Sequence, residues 1–370
     1  MQAPSPRVLV ALSLLPIGLV LRGLAFAAPG LVEALFAERW YPLVAGALGA
    51  INRLLPVPVA EVGAVLGLLL AAGVIWRWWQ RGRRAGRRPL ESLAASALAL
   101  WAVAGAVLLL FLFAWGFHYA RAPLRDRLML DLAEIEADEV LVLAQRFVDE
   151  TNSAYDALGA NPESPTVMVA EVTHLDALLD AAYQGLDLPG DAIRFTTSPA
   201  KGLISSALFA RLGISGIFIP FTGEPLFNQG VPDVSLPVAI AHEKAHHRGI
   251  TDEGEANLAA VLACLSTEDP YLRYAAALYS SSALLGSANR YAPDRVQEIA
   301  SAWGPGPRRD LAAIREFWDR YRGPTMRAAG RVNDAYLRSN RVEGGVQSYG
   351  RVVSMLVGLE RAGRLPGVPD

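Results

Sequence analysis

Residues 238–257, VAIAHEKAHHRGITDEGEAN, decide how the rest of the chain is interpreted. They contain the pattern His-Glu-x-x-His as His242, Glu243 and His246, and three of the chain's five histidines lie within them. Positions i and i+4 share one face of a helix, so His242 and His246 can bind one metal ion together. Glu243 lies beside them, where a carboxylate can act on a metal-bound water. The pattern therefore predicts a helical metal site with a catalytic base.

The residues around this pattern predict two helices that meet at a turn. Pro237 is suited to the first turn of the helix that carries the histidines. Gly249 can end that helix, because glycine readily adopts the left-handed backbone that follows a helix. Thr251 or Asp252 can then cap a second helix, with Glu253 in its first turn.

Three carboxylates compete for the place of the third metal ligand. Glu253 and Asn257 lie on one face of the second helix, so Glu253 could bind the metal while Asn257 orients a histidine. The spacing His-Glu-x-x-His-x-x-Gly-x-x-Asp also fits the metzincin template, in which Asp252 would be the ligand. Glu255 is within reach as well. The residues by themselves leave all three open.

The composition limits the kind of metal site and of partner. Cys264 is the one cysteine, which excludes a cysteine-rich site and an intrachain disulfide. A site built from histidine and carboxylate suits zinc in a catalytic setting, so we expect Zn²⁺ as the cofactor. The net charge of −2 provides no broad attraction to nucleic acid, and no nucleic-acid partner is expected.

The first 120 residues predict a membrane region, with the lipid bilayer as a partner. Hydrophobic residues make up 52% of the chain, and the excess lies mostly in this part. Apolar runs at about 8–27, 59–79 and 93–117 are each long enough to cross a bilayer, whereas residues 30–58 are mixed. The first run could instead be a cleaved signal peptide, but further spans follow it and it is long for such a segment. We therefore expect three N-terminal transmembrane helices.

An arginine-rich loop predicts the orientation of these spans. Five arginines between residues 81 and 88 separate the second run from the third. Short loops with this much positive charge stay on the cytoplasmic side. The N-terminus is then cytoplasmic, and residues 121–370 form an extracytoplasmic domain of a multi-pass protein of the cell membrane.

The patterns in residues 121–370 predict a mainly α-helical domain with a small sheet. Strands are predicted at 166–170, 193–197 and 214–220, and residues 224–237 are predicted as a loop that leads to the His-Glu helix. Helical patterns occupy residues 124–158, 175–186, 253–266, 270–290, 292–302, 308–321, 324–338 and 345–358. None of these patterns indicates an oligomeric state.

Several motifs resemble those of known metallopeptidases. The Glu-x-x-Ala-Asn pattern that begins at Glu253 is similar to the glutamate helix of gluzincins, including membrane-integrated kinds. More closely, the chain resembles an uncharacterised bacterial family of membrane zinc metallopeptidases with three N-terminal spans. The resemblance rests on Phe221-Thr-Gly-Glu224, on HExAHxRG followed by ExEAN in residues 242–257, and on GxxSYG in residues 345–350, so it covers most of the chain. His247 departs from the family pattern, in which glutamine is expected.

The resemblance implies an α+β zincin-like metallopeptidase domain in residues 121–370, with Glu253 as the third zinc ligand. It also implies a membrane-anchored zinc metalloendopeptidase that acts on a peptide or protein substrate. The residue types then predict the mechanism: Glu243 takes a proton from the metal-bound water as it attacks a carbonyl, then delivers the proton to the leaving amine. Tyr349 is a candidate donor of a hydrogen bond to the developing negative charge, and the alternative is that it is a core or capping residue.

Two other functions compete with this one. The first is a non-catalytic metal-binding membrane protein, such as a sensor or an assembly factor. The second is a zinc amidase that acts on a cell-envelope substrate. The presence of Glu243 favours an enzyme over the first of these, because a structural metal site does not need a base.

Overall fold

The structure is a computed structural model that describes residues 5–84, 89–186, 188–191 and 198–368, without the side chains of residues 75, 78–79, 81–84, 89–92 and 349. The described residues are mainly helical and contain one small mixed sheet, in agreement with the predicted secondary-structure content.

Four helices occupy the described part of the N-terminal region: α1 (Pro6–Ala27), α2 (Pro29–Leu54), α3 (Val59–Arg84) and α4 (Pro89–Ala114). The middle of α2, Val32–Trp40, is π-helical. The mixed composition of residues 30–58 had not predicted α2. Its residues alternate between an inner face, packed on the rest of the molecule, and an outer apolar face.

Two of these helices, α1 and the part of α4 from Leu93 to Ala114, are long and apolar enough to cross a membrane. They correspond to the first and third predicted spans. The second predicted span lies in α3, which meets the same test only as a pair with α2, and the two are bent by 90°. The described residues therefore contain two candidate spans, or three if the bent pair counts as one.

Close packing holds α1 and α4 side by side in the same direction. A Cβ at Gly105 would come within 2.4 Å of the Leu15 backbone nitrogen, and one at Gly18 within 2.9 Å of Leu108. Glycine at both positions lets the two helices approach, as small residues do in membrane helix pairs. Because the contacts advance together along both helices, the C-terminal ends of α1 and α4 lie on the same side.

The third predicted span extends too far at its C-terminal end. The helix α4 ends at Ala114, Trp115 leaves the helical backbone with a φ of −165°, and a 3₁₀ turn follows at Gly116–Ala120. The reason is a polar contact, since the Trp115 indole Nε1 donates a hydrogen bond to the carbonyl oxygen of His246 at 2.8 Å. The end of the apolar helix is thus joined to the His-Glu helix.

Although the helix Ser206–Leu212 was not predicted and the helix predicted at 345–358 begins only at Val352, the rest of the chain is formed mostly by helices, and most of these match the predicted patterns to within a few residues. They are α5 (Leu124–Arg127), α6 (Ala137–Leu158), α7 (Val172–Gly185), α8 (Ser206–Leu212), α9 (Leu236–His247), α10 (Glu253–Leu265), α11 (Pro270–Ala288), α12 (Pro293–Ser301), α13 (Pro305–Tyr321), α14 (Pro324–Ser339) and α15 (Val352–Arg361). A 3₁₀ helix, Gly345–Arg351, precedes α15. Every residue of α10 is buried, so this helix forms the centre of the core.

The sheet differs from the prediction in two of its segments. Its order is β1 (Lys201–Gly202), β3 (Glu224–Phe227), β2 (Gly216–Ile219), with β1 parallel and β2 antiparallel to β3. Only β2 was predicted as a strand. The central strand β3 was predicted as a loop because its Pro225 is unusual in such a strand.

The predicted strand at residues 166–170 is wrong. The backbone nitrogens of Thr166 and Met168 donate hydrogen bonds to the carboxylates of Asp310 and Asp233 instead of to a neighbouring strand. Side chains thus satisfy the donors that a strand partner would have satisfied. The third predicted strand, at residues 193–197, lies outside the described residues.

A buried ion pair attaches the sheet to the start of α3. Glu224 is fully buried, and its carboxylate pairs with Lys201 at 2.8 Å. The same carboxylate accepts hydrogen bonds from the backbone nitrogens of Val59 and Ala60, at 2.8 and 2.7 Å. A carboxylate at a helix N-terminus also interacts favourably with the helix dipole. The candidate spans are therefore joined directly to the sheet that borders the His-Glu helix.

Candidate metal centre

Two helices and the turn between them bring the candidate ligands together. The helix α9 has Pro237 in its first turn and ends at His247. Gly249 then reverses the chain with a φ of +84°, a backbone conformation that favours glycine. The side chain of Asp252 caps α10 by accepting hydrogen bonds from the backbone nitrogens of Gly254 and Glu255. These local predictions are confirmed, and they place Glu253 opposite the two histidines.

His242, His246 and Glu253 meet at one point. The two Nε2 atoms are 3.0 Å apart, and a carboxylate oxygen of Glu253 lies 3.1 Å from His242 Nε2 and 3.2 Å from His246 Nε2. Ligand atoms bound to a tetrahedral zinc at its usual bond lengths are about 3.3 Å apart. Among the described residues, this is the one group of three His, Cys, Asp or Glu side chains that could hold a metal ion.

The other ring nitrogens determine which atoms face the site. His242 Nδ1 lies 2.8 Å from Asn257 Oδ1, and His246 Nδ1 lies 2.8 Å from the Ile250 carbonyl oxygen. Both partners are acceptors, so each Nδ1 carries a hydrogen and donates it. In the neutral imidazoles each Nε2 therefore presents a lone pair. Two lone pairs and a carboxylate oxygen then face one another, an arrangement that a cation stabilises.

The electrostatics of two of these side chains, His246 and Glu253, also favour a cation at this point. Burial lowers the pKa of His246, but the charge and hydrogen bond of Glu253 outweigh it and raise the pKa to about 9. Burial raises the pKa of Glu253, yet the two histidines outweigh it and lower the pKa below its usual range. A positive charge is thus strongly stabilised at this point of the molecule.

Glu243 lies on the same helix but is held by the sheet. Its carboxylate oxygen lies 2.6 Å from where a Cβ on Gly216 would be, and it accepts a hydrogen bond from the backbone of Phe218 in β2. Burial raises the pKa of Glu243, and the charge of Glu253 raises it further against the opposing effect of the two histidines. A carboxylate with a raised pKa beside a metal site is suited to accept and release a proton.

The other two candidate ligands have different partners. Asp252 caps α10 and forms an ion pair with Arg351 at 3.2 Å. The carboxylate of Glu255 accepts hydrogen bonds from the backbone nitrogens of Leu124 and Arg125, at 2.8 and 3.1 Å. Of the three carboxylates that the sequence left open, Glu253 is the one that contacts both histidines. The geometry therefore favours Glu253.

Tyr349 lies in the 3₁₀ helix Gly345–Arg351, which is adjacent to α10, and its side chain lies outside the described residues. Another tyrosine was missed: Tyr336 of α14 is close enough to Glu253 for that carboxylate to contribute to its raised pKa, after the larger effect of burial. The Tyr336 hydroxyl lies 3.2 Å from that of Tyr119. No local sequence signal distinguishes Tyr336 from other helix-surface tyrosines.

Two aromatic residues that support α9 were also missed. Tyr41 of α2 donates a hydrogen bond from its hydroxyl to the His247 carbonyl oxygen at 2.5 Å, beside the contact of Trp115 with the His246 carbonyl. Both carbonyls belong to the last turn of α9, where a helix leaves such acceptors unsatisfied. In the sequence these aromatics have the positions of a membrane-interface belt, which conceals this role.

Comparison with protein families assigns the chain to one of them. A family model described as "Protein of unknown function (DUF3810)" matches residues 36–357. Because the match covers most of the chain, the protein belongs to this family. No curated protein and no solved structure matches the chain. The match agrees with the resemblance to an uncharacterised family, while the family description assigns neither a metal nor an activity.

Proposed function

We propose that the protein is a membrane-anchored zinc metalloendopeptidase. The observation that carries this proposal is the convergence of His242, His246 and Glu253 beside the buried carboxylate of Glu243. Three protein ligands from histidine and carboxylate are typical of catalytic zinc, which keeps one position open. A structural site would have no use for a fourth, protonatable group at this place.

In the proposed mechanism the residues of the site have separate roles. Zinc, when bound by the three ligands, supplies a water with a pKa lowered towards ~7 and polarises the substrate carbonyl. Glu243 accepts the proton of the attacking water and passes it to the leaving nitrogen. The Phe218 backbone orients the Glu243 carboxylate, while Asn257 and Ile250 orient the histidines.

The proposal includes Tyr349 as a donor to the negative charge that develops on the substrate carbonyl oxygen. Support for this comes from the position of its 3₁₀ helix against α10, where the Ser348 carbonyl approaches Gly254. The Tyr349→Phe variant would then lower turnover and leave the zinc content unchanged. Unchanged turnover would remove Tyr349 from the mechanism and make Tyr336 the next residue to replace.

The proposal also includes three spans, with a zincin-like domain outside the cytoplasm. The parallel packing of α1 and α4 supports it, because two parallel spans need a third, antiparallel one between them, and α3 occupies that place in the chain. The basic loop after α3 favours a cytoplasmic location for that end. A phosphatase that is active only outside the cytoplasm, fused to the C-terminus, is expected to be active, and an expressed but inactive fusion would contradict the orientation.

Metal content and cleavage of a peptide library together test the proposed activity. The purified full chain is expected to hold about one zinc ion per protein, by the three-ligand argument. It should produce new peptide termini that disappear with a chelator and return with zinc. Zinc without any peptide cleavage would contradict the peptidase. Cleavage of cell-wall amides instead would favour the amidase, and inertness towards all amides would favour a sensor or assembly factor.

A further inference from the structure

We propose that α2 lies along the membrane surface and holds the candidate metal centre close to the bilayer. At this level the centre cleaves polypeptides that are tethered to the same membrane, at bonds a few residues outside the bilayer. The substrate in this inference rests on the proposed peptidase function. The placement of α2 rests on the structure alone, so the two parts can fail separately.

The two faces of α2 differ in what covers them. Its inner face is buried against the rest of the molecule through Val32, Phe36, Tyr41, Ala45 and Asn52. Its outer face exposes between 49% and 81% of the side chains of Leu31, Leu35, Leu43, Ile51 and Leu54. An apolar face of this length, next to the exposed Glu38 and Arg39, is typical of a helix that lies in a membrane interface.

The direction of α2 agrees with this placement. It is bent by 90° from the Val59–Val74 part of α3, so it lies in the membrane plane if α3 spans the membrane. At its other end it begins at Pro29, two residues after the candidate span α1. Its exposed leucines therefore continue the apolar surface of the candidate spans, and lipid is the occupant that covers them.

The inner face of α2 leads directly to the candidate metal centre. The Tyr41 hydroxyl and the Trp115 indole donate to the carbonyl oxygens of His247 and His246. Trp115 follows the last residue of α4, and it is only 3% exposed. One side chain thus separates the metal ligand His246 from the end of an apolar candidate span. The centre is held at the level of the membrane surface.

The strand β2 offers a path from that surface to the catalytic base. Among the described strands it lies at the edge of the sheet, where an extended peptide can pair with it. After β2, Phe221 is 43% exposed and contacts the ring of Phe111 in α4, with centroids 6.3 Å apart. At the start of β2, Gly216 adjoins Glu243. The three residue steps from Ile219 to Gly216 correspond to roughly 10 Å of extended chain, and Phe221 lies in the turn that follows Ile219.

A substrate that follows β2 therefore reaches Glu243 within about five residues after it leaves the membrane surface. Soluble peptides lack the anchor that holds them at this level. A membrane-tethered substrate gains from the high effective concentration that tethering provides, but only if the cleavable segment lies close to the bilayer.

Three substrates with one cleavable segment test this inference in phosphatidylcholine vesicles. The segment is placed about 5 residues from a single transmembrane anchor, or beyond a semi-rigid helical spacer of about 30 residues that moves it about 45 Å away, or in a soluble peptide. The reconstituted full chain is expected to cleave the near substrate at least ten-fold faster than the other two, with Glu243→Gln as the blank. Equal or faster cleavage of the distant or soluble substrate would overturn the substrate class.

A spin label tests the placement of α2 without any activity. In a Cys264→Ala background, a nitroxide at Leu43→Cys is expected to be accessible to oxygen and protected from a water-soluble nickel reagent. The matched label at Glu316→Cys, on an exposed position of α13, should show the opposite. Equal exposure of both labels to the nickel reagent would overturn the placement.

If wild type and Glu243→Gln are equally inert on all three substrates, the peptidase function itself fails, and the label still decides where α2 lies.

Discussion

Glu243→Gln is expected to keep its zinc and to lose peptide hydrolysis by about 100- to 10,000-fold, the range that general base catalysis contributes. Glutamine has nearly the same shape and can still accept the hydrogen bond from the Phe218 backbone, but it cannot take up a proton. Zinc stoichiometry and the initial rate on one defined peptide measure the two quantities. The separation of binding from turnover is what identifies Glu243 as the base.

The matched control is Glu316→Gln, the same change on an exposed position of α13. It should leave both the zinc content and the rate unchanged. If Glu243→Gln loses zinc together with activity, the Glu243 side chain is needed to form the zinc site, and the variant does not identify it as the base. If the rate falls less than about ten-fold, proton transfer by Glu243 is not part of the mechanism.

Glu253→Gln is expected to lose zinc, whereas Glu255→Gln and Asp252→Asn should retain it. Only Glu253 contacts both histidines, while the other two carboxylates bind backbone nitrogens and Arg351. The zinc affinity of Asn257→Ala should lie between that of Glu253→Gln and that of the other two variants, because residues that orient a zinc ligand typically contribute about 10- to 100-fold to the affinity. Replacement of Glu253 should lower the zinc affinity by more than replacement of Asn257 does.

Competition with a fluorescent zinc chelator measures these affinities on the same protein preparations. Circular dichroism controls for the fold, since Glu255 and Asp252 are buried and their replacement weakens local hydrogen bonds. Full zinc affinity in Glu253→Gln, combined with loss in Asp252→Asn, would replace the gluzincin-like arrangement with the metzincin-like one. That result would overturn the assignment of the third ligand.

The candidate site was the part most accessible from the sequence, because its geometry is local. Helical spacing aligns His242 with His246, Gly249 turns the chain, and Asp252 caps the next helix, all within residues 236–265. Each of these features depends on neighbouring residues. The choice among the carboxylates was different, since it depends on which side of α10 faces α9 and on contacts from residues 124 and 125.

Features that depend on contacts between residues far apart in the sequence were not predicted. The strand β3 contains Pro225 and exists because both its neighbours pair with it. Residues 166–170 have the composition of a strand, but the carboxylates of Asp310 and Asp233 take their backbone donors. The helix α2 has mixed composition because it faces protein on one side and an apolar exterior on the other.

These distant contacts change how the molecule is divided. Composition alone separates an apolar third from a globular remainder, with a boundary near residue 120. The contacts of Tyr41, Trp115 and Glu224 cross that boundary and end on α9 or on the sheet beside it. The candidate metal centre is therefore supported from both parts of the chain, and we expect the region after residue 120 to be a poor substitute for the full protein.

The most direct test of the zinc peptidase is hydrolysis of a defined peptide in water enriched in oxygen-18. Mass spectrometry of the products is expected to show one heavy oxygen in the new carboxyl terminus. The label should appear with zinc-loaded wild type, disappear with a chelator, and form at least about 100-fold more slowly with Glu243→Gln. Zinc-loaded wild type that produces no labelled terminus, or a label that forms in Glu243→Gln at the wild-type rate, would contradict the proposed function.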